Sequence, residues 1–158
     1  MIREMTLADV EAIAELEEKI FSSPWPAREF CYELTENPYS CCLVLEEEGK
    51  IAGYCDYWII FDRAELANIA VVKEYRRRGY AQELLDRVIH DAEEQHCEYL
   101  TLEVRVSNEP AIRFYEKNGF IKANIRENYY TDNNEDAWLM VRPLNITGGD
   151  PDDNDSGN

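Results

Sequence analysis

Histidine is nearly absent from the 158-residue sequence: only His90 and His96 occur. The five cysteines (Cys31, Cys41, Cys42, Cys55, Cys97) include no CxxC pair. Without a compact set of nitrogen and sulfur ligands no metal site is expected, and the cysteines are expected to be reduced core fillers. No apolar run reaches 18 residues, which excludes a membrane-spanning helix. The first stretch, "MIREMTLADVEAIAELEEK", is too acidic for a signal peptide, so a cytoplasmic location is expected.

Cations are also scarce, 16 against 33 acids, for a net charge of −17. Asp150, Asp152, Asp153 and Asp155 supply four of those charges in the tail "GGDPDDNDSGN", and the remainder still carries −13. Such a surface repels nucleic acid and anionic membranes and attracts cationic partners, or serves solubility alone. That tail lacks apolar side chains to bury, so the segment 145–158 is expected to be disordered, which leaves 1–144 as one domain.

What is present reads as an alternation of strands and helices. "IREM" is a short strand, and Thr6 with Asp9 resembles a capping box ahead of Val10, Ile13, Ala14, Ile20 and Phe21 at helical spacing. "SSPWP" stops that helix and "AREFCYELTEN" begins another. "YSCCLVLEEEGKIAGYCDYWIIF" is a hairpin, and "AELANIAVV" the next strand. Ala81, Leu84, Leu85, Val88, Ile89 and Ala92 fall on one helix face. "YLTLEVRV" alternates as a strand, a helix runs from about Glu109 to Lys117, and "FIKANIRE" and "EDAWLMVRPL" are two closing strands. The order β-α-α-β-β-β-α-β-α-β-β predicts a mixed, mostly antiparallel seven-stranded α/β sheet with a central parallel pair, because the middle βαβ unit needs a crossover.

Two features carry chemistry. "YRRRGYAQELL" places Arg76, Arg77 and Arg78 beside Gly79 and the start of the best helix, a combination of cations, a flexible turn and free N–H groups that suits pyrophosphate. A solvated charge run is the plain alternative, though cations at a helix start oppose the macrodipole. Glu103 lies mid-strand, opposite the face of Leu100, Leu102, Val104 and Val106. It is either a carboxylate aimed into a cleft or one half of an ion pair with Arg105 or another cation. By spacing alone Tyr115, between Phe114 and Phe120, reads as a core tyrosine, and Asn108 as a helix N-cap.

Arg76, Gly79 and Ala81 fit the R/Q-x-x-G-x-G/A signature of the GCN5-related N-acetyltransferases, and Asn108 to Phe120 fits N-x-P-A-x-x-F-Y-x-x-x-G-F. The chain resembles that superfamily up to about Leu144. "PW" at Pro24-Trp25, "NIAV" at Asn68 to Val71, "LEVR" at Leu102 to Arg105 and "NYY" at Asn128 to Tyr130 resemble the bacterial ribosomal-protein alanine N-acetyltransferases. The resemblance implies the GNAT fold, with helices on both faces and the parallel pair splayed. It further implies transfer of an acetyl group from acetyl-coenzyme A, without a metal, to the terminal amine of small-subunit ribosomal protein S-eighteen.

Carried over by position, the resemblance implies that Ile69, Ala70 and Val71 offer backbone groups to the cofactor's pantetheine arm. Amides of Arg77, Arg78, Gly79, Tyr80, Ala81 and Gln82 would wrap the pyrophosphate, Arg76 would brace the loop, and Asn108 would touch the cofactor. Glu103 is implied as general base, since an α-amine with a pKa of ~8 arrives mostly as ammonium. Tyr115 is implied as the acid that protonates the departing thiolate. Trp25, Tyr129 and Tyr130 are plausible walls for the N-terminal peptide of a basic ribosomal protein, or hinges between core and loop. A monomer is expected. Competing readings keep the chemistry but acetylate a lysine or small amine, or bind the cofactor as a non-catalytic sensor.

Overall fold

A computed structural model describes residues 1–144, so the expected acidic tail over 145–158 lies outside the described residues. The chain forms β1 (Ile2–Glu4), α1 (Val10–Ile20), α2 (Ala27–Thr35), β2 (Ser40–Glu47), β3 (Lys50–Ile60), β4 (Arg63–Val71), α3 (Tyr80–Glu94), β5 (Tyr99–Arg105), α4 (Glu109–Lys117), β6 (Ile121–Arg126) and β7 (Ala137–Pro143). The expected element order is thus the observed one. A 3-10 turn, Leu7–Asp9, precedes α1, and Asp9 accepts the Thr6 N–H at 2.8 Å, as the box pattern implied.

The seven strands make one sheet in the order β1-β2-β3-β4-β5-β7-β6. Every neighbouring pair is antiparallel except β4 and β5. That parallel pair is joined only at Arg63↔Tyr99, Ala64↔Leu100 and Glu65↔Thr101. Beyond Glu65 the two strands diverge, so the second half of each lacks a partner on the shared side. The splay is the feature that creates the site.

Helices cover both faces. Val10 and Ile13 of α1 and Phe30 of α2 pack with Val44, Tyr54 and Ala70. Leu84, Leu85, Val88 and Ala92 of α3, with Ile112 and Tyr115 of α4, pack against Leu43, Leu45, Leu100 and Leu102. Each fully buried leucine or valine of α3 contributes about 1.5–3 kcal/mol of transfer free energy, which explains why its apolar stripe was so regular. Gly53 of β3 marks a close approach, since a Cβ there would stand 2.9 Å from the Ala70 carbonyl oxygen. The five cysteines are free thiols, three of them buried, as expected of core fillers.

Candidate active site

The divergence of β4 from β5 opens a crevice of about 270 Å³. Its walls come from four places: Glu17 and Trp25 at and beyond the end of α1, Asn68 and Ile69 of β4, Glu103 and Arg105 of β5, and Tyr115 of α4. Asn108 and Tyr130 complete it. Six residues singled out in the sequence therefore share one cavity: Trp25, Ile69, Glu103, Asn108, Tyr115 and Tyr130.

Glu103 lies on the face of β5 opposite Leu102 and Val104, and its side chain is largely buried at the crevice. The Arg126 Nε lies 2.9 Å from its Oε2. An ion pair and a cleft position thus coexist, and the cation is Arg126, not Arg105. Glu65, beside it on β4, has its carboxyl pushed above the ordinary range by burial and by the Glu103 charge. Tyr115 is 8% exposed and packs edge-on to Phe120 at 5.5 Å. Burial drives its phenol well above the ordinary value, so it holds its proton. Core tyrosine and crevice-lining group are the same side chain here.

Arg105 organises the mouth. Its guanidinium bonds Asp132 at 2.9 Å, Glu135 at 3.2 Å and Asn133 at 3.1 Å, and lies 4.0 Å from the centre of the Tyr130 ring. Ser22, after α1, donates to Asp132 at 3.1 Å. The segment between β6 and β7 is thereby bound to β5 and to the segment after α1. Tyr130 packs edge-on to Tyr129 at 5.1 Å, and burial pushes its phenol up to about 12. Tyr129 itself is 45% exposed and does not line the crevice.

The remaining predicted residues lie at the far end of β4. Val72 donates its N–H to Ala52 of β3. By strand alternation the N–H groups of Ile69 and Val71 point the opposite way, to the edge that β5 has vacated. Arg76 Nε donates to the Val71 carbonyl at 3.1 Å and so braces the turn that follows. Gly79 takes a left-handed conformation (φ 81°) as N-cap of α3 and provides no side-chain cap. The first N–H groups of α3, at Tyr80, Ala81 and Gln82, therefore lack side-chain acceptors at the cap. Arg78 meets Glu47 at 2.6 Å, and Tyr80 bonds the same carboxylate, so these side chains fasten the loop to β2. An exposed backbone edge leading to an uncapped helix start suits an amide-containing arm that ends in a pyrophosphate. Asn108 caps α4, accepting from the Ala111 N–H at 3.3 Å, while lining the crevice.

Sequence reasoning missed Glu17, Asn68 and Arg126. Glu17 had a visible signal, because it continues the Val10–Ile13 face of α1, where an apolar residue belongs. Asn68 stood in the NIAV motif without a role of its own, and Arg126 had no signal, because their partners are distant in sequence. Among the described residues no group of histidine, cysteine and carboxylate side chains could hold a metal ion.

The profile described as "Acetyltransferase (GNAT) family" matches residues 10–120. A Bacillus subtilis protein provisionally named a ribosomal protein bS18-alanine N-acetyltransferase is 44% identical over 144 residues, covering 91% of this chain and 95% of that protein. The ribosomal protein bS18-alanine N-acetyltransferase of Escherichia coli is 35% identical, over 92% of this chain and 98% of that one. The crystal structure of an Escherichia coli ribosomal-protein alanine N-acetyltransferase superposes with a TM-score of 0.84 at 34% identity, covering 93% of this chain and 95% of that one.

Proposed function

The chain belongs to the GNAT acetyltransferase family, and we propose that residues 1–144 form a domain that acetylates the N-terminal α-amine of an alanine, on a basic ribosomal protein, with acetyl-coenzyme A as donor. One observation carries the reading: the splay of β4 from β5 brings Glu103 and Tyr115 to a single crevice whose far end is an open backbone edge. The names of the relatives supply the ribosomal acceptor.

The donor supplies an activated acetyl thioester. The N–H groups of Ile69 and Val71 hold its arm, the start of α3 takes its pyrophosphate, and the Val71 N–H faces the carbonyl oxygen as charge builds on it. Glu103 attracts the incoming ammonium and accepts its proton, leaving a neutral amine able to attack. Tyr115, protonated because it is buried, gives a proton to the leaving sulfur as the C–S bond breaks, and the second proton shed by the new amide nitrogen restores the phenol. Trp25 and Tyr130 flank the peptide inside the crevice, and Tyr129, packed on Tyr130, stands outside it. The acidic surface around them attracts a basic terminus. No nucleophilic side chain is required, and the buried thiols are bystanders.

The test is a matched pair of peptides with acetyl-coenzyme A, one with a free terminal alanine and no lysine, the other blocked at its terminus but containing lysine. Mass gain on the first alone supports the reading. Acetylation of the second alone would reassign the enzyme to lysine, and no transfer to either would leave a binding protein.

A further inference from the structure

Glu17 is 1% exposed, lines the crevice and has no part in the proton transfers described above. Its carboxylate receives three hydrogen bonds, all donated to it. The Trp25 N–H reaches Oε1 at 2.9 Å, and the Tyr54 hydroxyl and the Asn68 amide reach Oε2 at 2.8 and 2.9 Å. None of the three is a cation, and no ion pair to Glu17 occurs among the described residues.

A buried carboxylate is an expensive way to hold a helix on a sheet. A leucine at this position would complete the Val10–Ile13 stripe without desolvating a charge, and well-packed apolar replacements of buried ionic groups are often neutral or stabilising. The position of the donors explains the residue better than stability does. Trp25 belongs to the segment on the acceptor side of the crevice. Asn68 sits where the β3–β4 register slips past Ala67, between Asp56↔Asn68 and Tyr57↔Leu66, one residue before the open edge begins at Ile69. Tyr54 comes from β3, in the floor beneath both. One side chain thus sets the spacing between the acceptor wall and the bulge from which the donor edge runs.

We propose that Glu17 is a positioning residue that fixes the acceptor wall, through the Trp25 backbone, relative to the β4 bulge at Asn68. The proposal rests on the acetyl-transfer reading for its kinetic consequence, but the positioning itself has a separate readout. Glu17→Gln keeps the shape but turns an NH2 group toward at least one of three donors. A displacement of about 1 Å in a positioned reactant can lower a rate by roughly a hundredfold. Glu17→Gln should therefore raise the acceptor-peptide KM or lower kcat/KM for peptide by about 10- to 100-fold. The acetyl-coenzyme A KM should stay within about twofold, because the helix start and the Val71 edge are untouched.

Two further measurements keep the idea open to refutation. Tyr54→Phe removes one donor with little change in volume, so it should fold and give a smaller effect in the same direction. The double variant should fall short of the sum, as expected for partners in one network. Amide exchange at Trp25, which needs no acetyl transfer, should accelerate in Glu17→Gln. Unprotected exchange with selective loss of peptide binding supports the proposal. Unchanged Trp25 exchange, or equal losses toward both substrates that track a lowered Tm, overturns it and assigns Glu17 to stability. If the wild type transfers no acetyl group, the functional reading fails, and the Trp25 exchange alone decides whether Glu17 positions that wall.

Discussion

Arg126 Nε rests 2.9 Å from Glu103 Oε2, so the carboxylate assigned to the amine already carries an internal cation at the crevice mouth. Arg126 is half exposed on β6, an edge strand whose six residues are all exposed, and little else holds it there. An arriving ammonium competes with it. Arg126→Ala should lower the peptide KM by about two- to fivefold at low salt, the scale of a partly exposed ion pair. That gain should shrink as salt rises. Glu103→Gln should reduce kcat by on the order of 10²–10⁴ with acetyl-coenzyme A affinity nearly unchanged. Steady-state kinetics at two ionic strengths measure both.

Tyr115→Phe retains the ring that packs on Phe114 and Phe120 and removes only the hydroxyl. The fold should persist, with Tm within a few degrees of wild type, while release of free thiol slows by about 10²–10⁴. A thiol-detecting assay beside a thermal melt separates the two effects. An unchanged rate would remove Tyr115 from the chemistry.

Arg105 binds the segment between β6 and β7 through a forked guanidinium, with Asp132 on one side, Glu135 on the other and the Tyr130 ring beneath. Lysine offers the charge without the fork. Arg105→Lys should therefore raise the peptide KM by about tenfold, and Arg105→Ala by more, with the Tyr129–Tyr130 segment becoming accessible to limited proteolysis. Equal proteolysis rates would refute the clamp.

Away from the crevice, Asp56 is buried against Glu33 and is pushed up to about 9 by burial and then by that neighbour. Burial also raises Glu33, but bonds from Asp56, Asn37 and Trp58 outweigh it and hold that carboxyl below its usual range. The folded chain therefore keeps a proton on Asp56 that the unfolded chain, with its ordinary value of 3.8, releases. This contribution to stability is present in full below about pH 4, declines as pH rises, and is gone above about pH 9. Urea midpoints at three pH values across that window should fall steadily. Asp56→Asn, which cannot ionise, should flatten the slope.

Local order was legible because it is written in local periodicity. The alternation through Leu100, Leu102 and Val104 and the α3 face at Leu84, Leu85 and Val88 needed no distant partner to be read. The β4–β5 crossover followed from a strand, a helix and a strand in succession. The position of β7 between β5 and β6 did not, since its pairing joins Tyr99 to Pro143 across 44 residues. Glu103, Tyr115, Asn108, Trp25 and Tyr130 were identified by motif, and the crevice gathers them. Glu17 shows in the sequence only as a break in an apolar helix face, and the clamp made by Arg105 not at all, because Tyr54, Asn68 and Asp132 reach them only in the folded chain.

The sheet order has a consequence for synthesis. β5 is flanked by β7, which lies near the end of the described chain and emerges from the ribosome after everything else in the sheet. Until then the nascent chain carries Glu103 on a strand with an open flank, and β6 has no strand to join. A chain still being made is thereby expected to stay silent until β7 has emerged and joined β5. Arrested chains ending before Ala137 should bind a chaperone and transfer nothing, whereas those extending well past Pro143, with the exit tunnel cleared, should be active.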